Sequence, residues 1–341
     1  MSRSQWAATC SLLILGVLVL AGLTVPVPFI SISRGPTFDT LSDIDGKPVV
    51  AIRSLPTFPT SGHLNMTTVR VTDGLTATDA LGRWLSSDYM VEPRSLAFPP
   101  GLTPEQIGQQ NEEAFADSQA SAEGAAMVYM KLPTIVVVED FPPGDSPARG
   151  VLQPGDVIRS VAGTPVTTPD ELRAVLATTR PGQHVTLNFQ RGDDSPRDAD
   201  VVLGAADGVP NGMIGIIPGA RPADRNEIAI SLGDVGGPSA GLMFTLAIID
   251  KLTPGELTSG RFIAGTGTIT STGFVGRIEG IRYKMLAARE AGATAFLVPA
   301  DNCEVAKANA PDGLQLAKVS TLQEAVTAVD QLGHGGTPPS C

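Results

Sequence analysis

"GDVGGPSAGLMFTLAIIDKL", residues 233–252, sets one serine, Ser239, between a glycine-rich loop and an apolar run. The run is apolar almost all round, which predicts a buried helix, with Pro238 at its first position and Ser239 at its N-terminus. Before the loop, "NEIAISLGD" reads as a strand. A serine at a helix N-terminus sits beside unpaired backbone N–H groups and the positive end of the helix dipole, which can hold a developing oxyanion. Serine is equally a common helix cap. This segment alone leaves both roles open.

A nucleophilic serine needs a base. "GPSAG" formally fits the G-x-S-x-G nucleophile elbow, whose histidine follows the serine. Only His334 does so, within the tail "LGHGGTPPSC", a poor place for an oriented base. Lysine is the alternative, and the chain has six. In "GRIEGIRYKMLAAREAG" a helix beginning near Glu279 surrounds Lys284 with Gly280, Ile281, Ala287 and Ala288 at three and four residues. Such a lysine either snorkels to the surface or is desolvated, with a lowered pKa that fits it to act as a base.

The chain has 341 residues, enough for two or three domains, and 24 basic against 35 acidic side chains. A net charge of −11 without a basic cluster excludes nucleic acid as a partner. His63, His184 and His334 are isolated and no zinc-ligand spacing occurs, so neither a metal nor another cofactor is expected. Between Arg3 and Arg34 there is no charge, and "WAATCSLLILGVLVLAGLTV" supplies 20 apolar or small residues, the length of a membrane span. An anchor is favoured over a cleaved signal peptide because the apolar stretch is long and lacks an A-x-A site. The expected topology is single-pass at the cell membrane, with the bulk of the chain extracytoplasmic.

Residues 64–72 and 48–54 read as strands and "TATDALGRWLSSDY" as a short helix. A long helix follows, with Thr103 as N-cap, Pro104 at N1 and Gln106 at N3. From 133 to 204 short apolar strands alternate with Gly and Pro turns. There "SPARGVLQPGDVIRSVAGTPVTTPDELRAVL" resembles the PDZ domains of bacterial envelope proteases. PDZ domains add an extended peptide to a sheet edge. The segment Leu132–Val136 is the candidate carboxylate-binding loop.

"GPSAG" with its apolar helix, "GTGTITSTGFVGRIEGIRYKMLAAREAGA" and "FLVPADN" together resemble the proteolytic domain of Lon proteases over roughly residues 225–330. The resemblance implies Ser239 as nucleophile and Lys284 as general base of a Ser–Lys dyad, with Gly237 and Pro238 shaping the loop. It implies Thr266, in "TGTIT", as the residue orienting the lysine. The chain departs from the family at Gly236, where many Lon enzymes carry an acidic residue; Asp234 lies two residues further back. "LNMTTVRV" and "FADSQASAEGAAMVYM" resemble the opening strand and first helix of the same domain, which would make the PDZ an insertion. No G-x-x-x-x-G-K-[ST] occurs, so ATP is not expected to drive the reaction.

The expected fold is α+β: a transmembrane anchor and connector over 1–33, the first part of a Lon-type protease over 34–132, a PDZ domain over 133–204 and the catalytic part over 205–341. The expected function is an ATP-independent serine endopeptidase acting on protein or peptide substrates outside the membrane, with the PDZ recruiting substrate. The resemblance also implies a homo-oligomeric ring, since Lon-type domains commonly form them. The rival is a non-catalytic PDZ adaptor. Of three cysteines, Cys10 lies in the span, leaving Cys303 and Cys341. A final cysteine on a Gly/Pro-rich tail suggests a disulfide between them in an oxidising compartment.

Overall fold

The long helix starts where its capping signature places it. Thr103 Oγ1 accepts from the Gln106 amide at 3.3 Å and Gln106 Oε1 accepts from the Thr103 amide at 2.9 Å, closing a capping box before Pro104–Tyr129. A computed structural model describes residues 3–341 apart from 54, 100, 207, 225–227 and 234. The packing face of the long helix lies toward its C-terminal end: Ala122, Ala125, Ala126 and Met127 are buried against the helix Gly241–Leu252. Phe115 closes the same contact edge-on to Phe244, ring centroids 5.8 Å apart.

Both helices serve one mixed sheet. Its strands run in the order Gln315–Val319, Ala295–Pro299, Phe262–Gly265, His63–Thr72, Phe29–Asp39, Met90–Pro93. The first four are parallel to their neighbours and the last two pair antiparallel. The sheet therefore takes strands from both sides of 133–204. The all-buried run "AFLVP", Ala295–Pro299, is what a parallel strand covered on both faces requires. Its alternation separates two cores. Ile263 and Leu297 point to the core holding the helix Gly241–Leu252, whereas Ala264, Phe296 and Val298 point to the core holding the helix Ile281–Glu290. The two helices thus lie on opposite faces, and their N-terminal ends meet at the carboxyl end of Phe262–Gly265.

A second sheet runs Arg197–Val202, His184–Gln190, Val157–Val161, Thr134–Asp140, Ile217–Pro222, with Thr164–Pro165 added to Val157–Val161. Its core unites Val136, Val138, Ile158, Leu187 and Phe189 with Leu172 of the helix Pro169–Leu176. Of the segment Leu132–Val136, read as the candidate carboxylate-binding loop, residues 134–136 open the strand Thr134–Asp140, which is paired on both edges, and 132–133 precede it. The strand read at 48–54 narrows to Val50–Ile52, paired with Ile228–Ile230. The helix read over residues 76–89 spans Ala77–Trp84.

The N-terminal helix Arg3–Thr24 contains a 20-residue apolar span, Gln5–Thr24, with mean hydropathy 2.3 and no part of it buried. It has the length and composition of either a membrane span or a signal sequence. At the other terminus the tail lies along the sheet, the Lys318 amide donating to Pro339 O at 2.8 Å, so the outermost strand is partly covered. Cys303 and Cys341 are disulfide-bonded with Cα atoms 5.1 Å apart. Replacing both with serine is expected to lower the stability of the folded protein by up to about 4 kcal/mol, the chain-entropy figure for a loop of this length. Urea denaturation of the two proteins side by side checks this, and reductant should reproduce the loss in wild type only.

Candidate active site

The glycine loop is held from outside. The Gly237 amide donates to Asn111 O at 3.0 Å and Ser118 Oγ donates to Pro238 O at 3.0 Å, both from the long helix. Gln119 Nε2 adds a bond to Ile230 O at 3.1 Å, at the strand leading into the loop. Gly237 has φ +89°, a conformation side-chain-bearing residues avoid. None of these helix residues was singled out from the sequence. The available signal was spacing: Asn111, Ser118 and Ala122 lie at i, i+7 and i+11 and share one helix face.

The serine helix begins later than its proline suggests. Ala240 is the N-cap and Gly241 the first helical residue, so Pro238 is not at N1 and Ser239 lies one residue before the cap. The reason is sideways bonding. Ser239 O accepts from the Gly267 amide at 3.0 Å and from Thr266 Oγ1 at 3.0 Å, which ties this residue to the neighbouring strand's extension. The i→i−4 ladder starts instead with Phe244 bonding Ala240 O. Ser239 makes no capping bond, and its hydroxyl faces elsewhere.

It faces Lys284. Nζ of Lys284 lies 2.7 Å from Ser239 Oγ and donates to Thr266 Oγ1 at 3.0 Å. Lys284 sits in the first turn of Ile281–Glu290, which starts from Gly280 in the left-handed region at φ +70°. A Cβ at 280 would come within 2.7 Å of Val69, so glycine lets the helix approach the sheet closely enough to deliver the amine. Lys284 is only 2% exposed and Thr266 is fully buried. Burial, with no opposing carboxylate among the described residues, drives the Lys284 pKa from 10.5 down to about 7. In its neutral form the amine satisfies every partner here. One N–H goes to Thr266 Oγ1, the threonine hydroxyl donates to Ser239 O, and the nitrogen lone pair is left for the serine hydroxyl.

Ser239, Lys284 and Thr266 are thus within bonding distance of one another, Pro238 and Gly237 form the adjoining loop, and His334 is exposed on the tail beside Asp330. Asp234 lies outside the described residues. A cleft of 840 Å³ adjoins the loop at Val235 and Gly236 and extends past Phe38 and Lys47.

The site is thus a serine hydroxyl 2.7 Å from a buried lysine amine, beside a helix start. The sequence comparisons narrow this. Residues 228–330 match the Lon protease (S16) C-terminal proteolytic domain, and residues 109–203 match the PDZ domain. Lon protease of Roseiflexus castenholzii is 32% identical over 179 residues, 52% of this chain and 21% of that protein. Lon protease of Buchnera aphidicola subsp. Schizaphis graminum is 37% identical over 91 residues, 26% of this chain and 12% of that protein. The solved PDZ domain of the SdrC-like protein from Listeria monocytogenes is 30% identical, covering 24% of this chain and 85% of that one, with a TM-score of 0.23. The chain carries a PDZ domain and a Lon-type proteolytic domain, which support a serine peptidase. It spans about a fifth or less of the length of these Lon proteases.

Proposed function

We propose that the chain is an ATP-independent serine endopeptidase working through a Ser239–Lys284 dyad on protein segments outside the membrane, with its N-terminal helix as anchor. The observation that carries this reading is a lysine amine, 2% exposed and without a carboxylate partner among the described residues, 2.7 Å from a serine hydroxyl. A buried amine is a liability to a scaffold. Holding its pKa at about 7 costs the fold about 4 kcal/mol at neutral pH, which an adaptor has no reason to retain.

In the proposed cycle Ser239 Oγ attacks the scissile carbonyl carbon while its proton passes to the neutral Lys284 amine. N–H groups of the loop and helix start bind the oxyanion, each contributing about 3 kcal/mol. The C–N bond breaks as the Lys284 ammonium returns the proton to the leaving amine, and water repeats the sequence on the acyl ester. Thr266 acts as a positioning residue: it holds Nζ and the Ser239 carbonyl at once. Residues 34–132 and 205–341 are proposed to be one protease fold interrupted by a PDZ insertion at 133–204, supported by the first sheet drawing strands from both. The PDZ is proposed to recruit extended substrate segments, and the protease domains to assemble as a ring.

kcat/KM on a short peptide should rise with pH through about 7, as the lysine loses its proton, and then level. Thr266→Ala is expected to lower kcat by about 10- to 100-fold and displace that midpoint, whereas Thr266→Ser restores both. A pH–rate profile for the three proteins decides it. A midpoint unmoved by Thr266→Ala would remove the positioning role.

A further inference from the structure

The strand Ile217–Pro222, "IPGARP", falls between the two family-model matches, and neither accounts for it. It pairs antiparallel with Thr134–Asp140 in the register Gly219 to Val137, Ala220 to Val136 and Arg221 to Ile135. The helix Pro169–Leu176 packs against it from the side. An antiparallel strand laid between a sheet edge and a helix is how a PDZ domain holds an extended peptide. We propose that Ile217–Pro222 is a built-in ligand of the PDZ domain, so that an extended peptide partner binds only by displacing it. The inference rests on the proposed recruiting role of that domain.

Three features support a strand that fills the site and closes it. First, successive amides of a strand face opposite sides, and the Ala220 amide donates away from the PDZ sheet, to Ser271 Oγ at 3.0 Å. Pro218 and Pro222 share that parity, so neither costs a ladder bond to Thr134–Asp140, while the Gly219 and Arg221 amides face it. Second, the outward edge carries two prolines and one amide already bonded, so no further strand can add there. Third, fit is tight and favours small residues. A Cβ at 219 would lie 2.0 Å from Glu139 Oε1, and Ala220 O abuts Gly124 of the long helix so closely that a Cβ there would sit 2.0 Å away. The partner class is thus an extended segment with glycine at its centre.

The same strand is tied to the catalytic side. Ser271 Oγ, which receives the Ala220 amide, donates to Glu139 Oε1 at 2.9 Å and lies on the turn that follows Thr266. Opening the groove breaks that contact.

The test uses the full chain and a fluorescein-labelled synthetic peptide of residues 214–223 as probe, read by fluorescence anisotropy. An internal ligand competes at an effective concentration in the millimolar range, so wild type should bind the probe weakly. Gly219→Pro, which removes an inward-facing amide, should bind it at least about 10-fold tighter. Ser271→Ala, which removes only the outer bond, should move in the same direction by less. In Ile135→Cys/Arg221→Cys the facing pair can be bridged across the ladder. Its oxidised form should bind no probe, and its reduced form should match wild type treated with the same reductant. That comparison within one folded protein stands even if Gly219→Pro fails to fold. Probe binding equal in oxidised and reduced forms would overturn the proposal. So would a folded Ser271→Ala protein that binds no better than wild type. Hydrolysis of a short peptide is measured in parallel: its absence alongside lock-sensitive probe binding counts against the peptidase, not against the built-in ligand.

Discussion

Peptide hydrolysis is expected to fall by at least about 10³-fold in both Ser239→Ala and Lys284→Met, with the double variant no worse than either alone. Residues that act as one unit are strongly non-additive. Ser239→Ala removes the atom that attacks; Lys284→Met removes its proton acceptor and keeps a chain of similar length in the pocket. With Oγ and Nζ 2.7 Å apart, each is useless to the step without the other. Steady-state kinetics of the four proteins at pH 8, with circular dichroism to verify the fold, provides the check. Losses that multiply in the double variant would mean that serine and lysine act separately.

The second large effect is on stability, and its sign is opposite to that of an ordinary core substitution. Lys284→Met is expected to stabilise the folded protein by roughly 2–4 kcal/mol at pH 7. In the unfolded chain this lysine titrates near 10.5, in the folded chain near 7. Between those values the unfolded state binds more protons, so wild-type stability rises with pH, and the penalty of the buried amine is greatest at and below about pH 7. Methionine has no charge to lose, so the advantage of the variant should shrink steadily toward pH 10. Hydrogen bonds lost to Ser239 and Thr266 keep the gain below the full desolvation figure. Denaturation at pH 7, 8.5 and 10 tests this, and a pH-independent difference would contradict the lowered lysine pKa.

What the sequence reveals here depends on how local the determining contacts are. Ser239 can be singled out because it stands in an otherwise apolar or glycine-rich stretch, and Lys284 because its helix neighbours at three and four residues are all small or apolar, where a polar group needs a reason. Thr266 carries no such signal and emerges only from the likeness of "TGTIT" to a known motif. Asn111 and Ser118 escape because they support the loop across more than a hundred residues of chain, and on the helix itself they look like ordinary solvated positions. The helix start shifts because Ser239 O bonds sideways to Gly267 and Thr266, a tertiary contact that propensity at Pro238 cannot anticipate. The strand "IPGARP" is hidden for a similar reason. Two prolines and a glycine argue against a strand until the register shows both prolines on the side that needs no ladder bond.

The central claim is that a buried neutral Lys284 activates Ser239, and one measurement addresses it directly. A fluorophosphonate probe is applied to the purified protein from pH 5 to 9, and the adduct is located and timed by mass spectrometry. The account predicts a single adduct on Ser239, forming at a rate that climbs with pH through about 7, and no such adduct in Lys284→Met. Labelling of Ser239 at the same rate in folded Lys284→Met, or a wild-type protein that leaves Ser239 unmodified across the range, would contradict it.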